Sequence, residues 1–128
     1  MQIKFRAWDK NRKTMLIPAM PLMYGGISWM SNDELCFDPL CLGTYELMQY
    51  TGVNDRYGNE LYVGDIVKDE KGRVGEIEYV PEHAAFLVRT IDGDGQCYQR
   101  LEAGNGKNLM ATIKTGNIWD NPELLEVR

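Results

Sequence analysis

The sequence predicts a small, mainly β protein built as a strongly bent antiparallel barrel or sandwich, and three observations predict it. Thirteen glycines and five prolines among 128 residues favour many short elements joined by turns. No segment sustains the 3.6-residue apolar period of an amphipathic helix. Short alternating or apolar runs bounded by Gly, Asn and Asp recur at close spacing instead. The apolar fraction of 44% and charged fraction of 26% exclude wholesale disorder. A chain of this length buries enough surface to hold one core without disulfide staples.

The elements follow in chain order. Ile3–Trp8 alternates apolar and charged residues, the period of a half-buried strand. Asp9–Lys13 is a polar turn and Thr14–Ile17 the returning strand. Pro18 and Pro21 lack the N–H that a ladder needs, so residues 18–43 read as a loop-rich excursion. Within it, Ile27–Met30 and Glu34–Phe37 are short strands. Tyr45–Tyr50 is a strand ending at Thr51–Gly52, and Asn54–Asn59 is a turn. Leu61–Val63, Ile66–Lys68 and Arg73–Val80 follow as strands, with Ile77 and Tyr79 on one face and Glu76 and Glu78 on the other. Ala84–Ile91 pairs back across Pro81–His83. Asp92–Gly95 is a turn before Cys97–Leu101, and Gly104–Asn108 is a flexible loop. Ala111–Lys114 and Gly116–Trp119 resume the sheet. Asn121 then caps a short helical turn with Pro122 at its first position and Glu123 near its positive end.

The net charge of −5 is unevenly spread. Residues 1–14 hold Lys4, Arg6, Lys10, Arg12 and Lys13 against Asp9, a local +4, which leaves −9 on the rest. Such an acidic body repels nucleic-acid backbone and anionic lipid. The basic arm reads first as the wet face and turn of a hairpin, and second as a nucleic-acid contact. Cys36, Cys41 and Cys97 form no CxxC pair and suit free thiols in a reducing cytoplasm. The apolar run Met15–Met23 is broken by two prolines, and no stretch approaches a membrane span.

No catalytic constellation stands out. His83 is the sole histidine and sits at a hairpin tip without a Ser–His–Asp order beside it. Asp92–Gly93–Asp94–Gly95 resembles the start of a calcium loop, but the closing Glu falls one position short, so it reads as a hairpin turn. Gly104–Asn105–Gly106–Lys107 lacks the flanking residues of a phosphate loop. No metal, cofactor or enzymatic activity is expected.

Three blocks give the chain a resemblance. They are Ile3–Lys10; Leu47–Gly52 with Asp55, Gly58, Tyr62 and Gly64–Val67; and Gly116–Ile118 with Asn121–Leu125. In this order and spacing they resemble the YopX family, small proteins encoded mainly by bacteriophages and prophages. The resemblance implies an SH3-like β-barrel over residues 44–128, an N-terminal hairpin and loop-rich extension over residues 1–43, both packed as one unit, and self-association. It implies no enzyme activity. SH3-like barrels bind partners through aromatic side chains near their loops, which makes Tyr50, Tyr57, Tyr62 and Trp119 the candidate interaction surface. The expected role is that of a phage or prophage accessory protein in the host cytoplasm, acting by self-association or by contact with a host or phage protein. The alternative is a nucleic-acid-associated barrel using Lys4, Arg6, Lys10, Arg12 and Lys13. Gly52, Gly58, Gly64 and Gly116 read as turn or bulge positions, and Asp55 and Asp65 as acceptors for turn N–H groups.

Overall fold

The computed structural model describes residues 3–21, 26–31, 34–38, 44–69, 72–92, 95–101 and 112–125. Residues 41 and 104–108 of the expectations above lie outside them. The chain divides into two compact units, Met1–Tyr50 and Thr51–Arg128.

The first unit is built on β1 (Phe5–Asp9), β2 (Thr14–Pro21), β3 (Ile27–Ser31), β4 (Glu34–Asp38) and the start of β5 (Tyr45–Asn54). They lie in the order β4-β3-β2-β1-β5, each antiparallel to its neighbour. The β1–β2 hairpin turns where Asp9 accepts the N–H groups of Asn11 at 3.0 Å and Arg12 at 3.1 Å, a side chain standing in for backbone. β2 does not stop at Pro18, contrary to the loop expected there. Ala7 pairs with Leu16 and Phe5 with Ala19, so Ile17 and Pro18 together face Arg6. This bulge absorbs the missing N–H, and Pro21 closes the strand opposite Ile27. Ala7, Ala19 and Ile27 form a small core against Trp29 and Tyr45, whose rings are 5.9 Å apart.

β5 continues past Tyr50 into the second unit, where β6 (Glu60–Tyr62) is its neighbour. β7 (Asp65–Lys68), β8 (Val74–Val80), β9 (Ala85–Asp92), β10 (Gly95–Arg100) and β11 (Ile113–Asn117) form an antiparallel sheet in the order β10-β9-β8-β7-β11. The alternation read in β8 holds: Ile77 lies opposite Val88, and both join Leu61 and Val67 in a buried cluster packed by Val53 and Leu101. Each such aliphatic side chain contributes about 1.5–3 kcal/mol on burial. Asp92 pairs with Gly95 at the mouth of the expected hairpin.

The protein is thus mainly β, as expected, but the described residues form open sheets and no closed barrel. One reason lies in β11. Its outer side donates the Lys114 N–H to Asp55 and accepts the Arg56 N–H at the Thr112 carbonyl, so the turn after β5 occupies it in place of a strand. The helical turn near the C-terminus is present as a 3-10 turn over Pro122–Leu125. Asn121 stands at its start as expected, and its carbonyl oxygen accepts the Leu124 N–H at 3.1 Å. Its side-chain oxygen accepts the Asn117 N–H at 3.3 Å, so it secures the end of β11. Any Cβ on Gly116 would strike that Asn121 side chain, which explains the glycine.

Gly75 is equally constrained. A Cβ there would lie 2.6 Å from Val88 Cγ1 and 2.9 Å from the Arg89 carbonyl oxygen across the β8–β9 ladder. Gly75→Ala is expected to lower stability by about 1–3 kcal/mol, the range for overpacking, in denaturant unfolding. A wild-type midpoint in that variant would contradict the close approach.

Candidate interaction surface

The surfaces of the second unit are presented by a scaffold with a polar centre. Asp55 is fully buried. Its Oδ1 accepts the N–H groups of Tyr57 and Asn59, each at 2.9 Å. Its Oδ2 accepts from Asn59 Nδ2 at 3.0 Å and from the Lys114 N–H at 3.0 Å. Asp65, also fully buried, accepts the Tyr62 N–H at 2.8 Å and pairs with Lys114 Nζ at 3.3 Å. Lys114 Nζ further donates to the Glu60 carbonyl at 3.4 Å. One lysine therefore joins two buried aspartates, through its backbone to one and its side chain to the other. Burial alone would raise the Asp55 pKa, but the hydrogen bonds from Lys114, Asn59 and Tyr57 outweigh it and hold the carboxyl below its ordinary value of 3.8.

Arg89 anchors a second cluster on the β8–β9 face. Its Nη2 meets Glu76 and its Nε meets Glu78, each at 2.9 Å, and the Tyr98 hydroxyl donates to Glu78 at 3.4 Å. Burial raises the Glu76 pKa despite the Arg89 hydrogen bond, and Glu78 adds to the rise. Burial alone would lower the Arg89 pKa, but the hydrogen bonds and charges of Glu78 and Glu76 together outweigh it and hold the guanidinium above its ordinary value. This face is charged but internally neutralised on its cation. Beside it, His83, Phe86, Leu87, Tyr98 and Leu101 line an open depression of about 490 Å³. His83 itself is exposed in the 3-10 turn Pro81–His83. Among the described residues, no group of three or more His, Cys, Asp and Glu stands in position to hold a metal ion. No helix among them is long and apolar enough to cross a membrane.

The first unit also exposes apolar side chains on one sheet face. Met30 lies directly opposite Leu35, and Met20 opposite Ser28, so these side chains share one face of β2–β4. Met20, Met30 and Leu35 are 57%, 48% and 69% exposed.

The four aromatics expected at the surface do not form one. Tyr50 and Tyr62 are buried, Trp119 is half-buried, and Tyr57 is 70% exposed beside Arg56. Tyr50 also receives the Lys4 ammonium over its ring at 5.2 Å. The basic arm is likewise not a continuous cationic face. Arg6 is buried because β1 is an inner strand covered on both faces. Lys10 pairs with Glu46 at 2.8 Å and Arg12 approaches Asp9 at 3.9 Å, while Lys13 is exposed at the hairpin tip. The Arg89 cluster was not readable from the sequence, because a loop of Pro81–His83 would set Arg89 opposite Gly75, and only the inclusion of Ala84 in the turn brings it opposite Glu76. Nor was the exposed Met–Leu set, because an apolar residue in a short strand normally signals core.

The family model described as YopX protein matches residues 4–126. The chain belongs to the YopX family. Among solved structures it is similar to the crystal structure of protein EF1440 from Enterococcus faecalis, at 26% identity and a TM-score of 0.60. That match covers 98% of this chain and 99% of the other. Comparison with curated proteins gives no match.

The Asp55 geometry carries a stability prediction. Asp55→Ala leaves several N–H groups without their acceptor and is expected to cost about 3 kcal/mol or more in denaturant unfolding. A carboxyl whose folded-state pKa lies below its unfolded value stabilises fully above that unfolded value and loses the contribution as pH falls through the folded one. Wild-type stability should therefore fall more steeply than that of Asp55→Ala below pH 3.8. Parallel acid profiles would contradict the assignment.

Proposed function

We propose that this YopX-family chain is a non-enzymatic interaction module that works by protein–protein contact, with its own copies among its partners. The observation that carries this reading is the β10 edge of the β10-β9-β8-β7-β11 sheet, where β9 is the only strand neighbour among the described residues, together with the exposed Met20, Met30 and Leu35 beside the edge strand β4. An unpaired strand edge is a template for another strand, and exposed apolar side chains add area that water disfavours. The acidic balance of the body suits protein partners better than nucleic acid, and pairing of Lys10 and Arg12 within the first unit weakens the nucleic-acid alternative.

Family membership supports an accessory role in a phage or prophage setting, within the host cytoplasm. The five-stranded antiparallel sheet, with a 3-10 turn joining β8 to β9, supports an SH3-like reading of the second unit. The arrangement asks for partners that add a strand and not for substrates that are turned over.

Light scattering over about a hundredfold range of protein concentration tests the reading. The expected result is a mass above the 14.7 kDa monomer that rises with concentration. A monomer throughout the range would contradict self-association.

A further inference from the structure

The sheet edges are not equivalent, and their differences identify one of them. Natural sheets protect an edge by shortness, a bulge, a charge or a covering loop. β6 is three residues long. β11 has a register break between Lys114 and Gly116, and its outer side already bonds the Asp55–Arg56 turn. β4 carries Glu34 and Asp38 at its two ends, so antiparallel self-pairing about Cys36 would set carboxylate against carboxylate. Among the described residues β10 shows no bulge and no covering segment, and its one charge is Arg100 at its end. It pairs with β9 without interruption from Gly95↔Asp92 to Arg100↔Leu87, contains no proline and no acidic residue, and among the described residues has β9 as its only strand neighbour. Cys97 is exposed and Tyr98 is 45% exposed along it.

We propose that two copies of this chain join through β10, antiparallel about a two-fold axis at Cys97, to make one sheet continuous across both. This rests on the self-association proposed above and names its site. A two-fold contact uses the same patch on each copy, so each residue meets its counterpart in reverse order. Centred on Cys97, the pairing sets Gln96 against Tyr98 and Gly95 against Gln99, with no like charges opposed. That local neutrality matters for copies that each carry −5, because every other charge they bring is net repulsive. The two Cys97 Cα atoms would lie about 4.5–5.5 Å apart, within the range a disulfide spans.

Charge placement at the axis is the test. Cys97→Asp and Cys97→Lys each set like charges face to face and are expected to weaken self-association at least about tenfold by sedimentation equilibrium. Mixing the two variants is expected to restore a heterodimer, while circular dichroism and the melting transition of each stay near wild type. In the Cys36→Ser/Cys41→Ser variant, mild oxidation is expected to give a covalent dimer through Cys97. A wild-type dimer that neither charge at position 97 weakens would overturn the β10 assignment and leave self-association standing. A monomeric wild-type chain would overturn both. If a charged variant unfolds, the oxidation arm decides: rapid dimer formation supports the axis, and none in an associating protein overturns it.

Discussion

The second unit depends on one constraint, which is that the carboxylate of Asp55 must find its hydrogen bonds inside the protein. It is fully buried and takes donors from Tyr57, Asn59 and the distant Lys114. An ionised carboxylate without such partners would be costly to bury. With them it fixes the turn after β5 and ties it to β11. Lys114 then passes the constraint on, since its ammonium reaches Asp65 and the Glu60 carbonyl. Residues 55–65 and the distant Lys114 are held in register by polar bonds, while Leu61, Val67, Ile77 and Val88 supply the apolar burial.

The same bonds shape the sheet. Because the Asp55–Arg56 turn occupies the outer side of β11, that edge is unavailable for a strand. Among the described residues the opposite edge, β10, pairs regularly on one side only. Closure at the β11 end is a consequence of that polar contact.

Local signals in the sequence reached as far as local physics allows. Alternation located β1 and β8, hairpin pairing across Pro81–His83 located β9, and turn chemistry located the bends at Asp9, Asp55 and Asp92, because all depend on neighbouring residues. Asp55 and Asp65 were legible as turn acceptors, but their shared partner was not: Lys114 lies 59 positions from Asp55 and nothing local links them. Pro18 misled for a similar reason, since a bulge against Arg6 is a property of the pairing and not of β2 alone. Period-2 alternation marked Arg6 as the wet side of a strand. It cannot report that β1 is an inner strand with both faces covered. The aromatics failed as a surface on the same ground, because Tyr50 and Tyr62 pack inward. Of the candidate site, the residue types were legible and their exposure was not.

Amide hydrogen exchange at Lys114 tests the central contact most directly. If Asp55 holds β11 through that N–H, Lys114 should exchange only with global unfolding of the second unit, together with Tyr57 and Asn59. Exchange at Lys114 through a low-energy local opening, while Ile77 and Val88 remain protected, would contradict it.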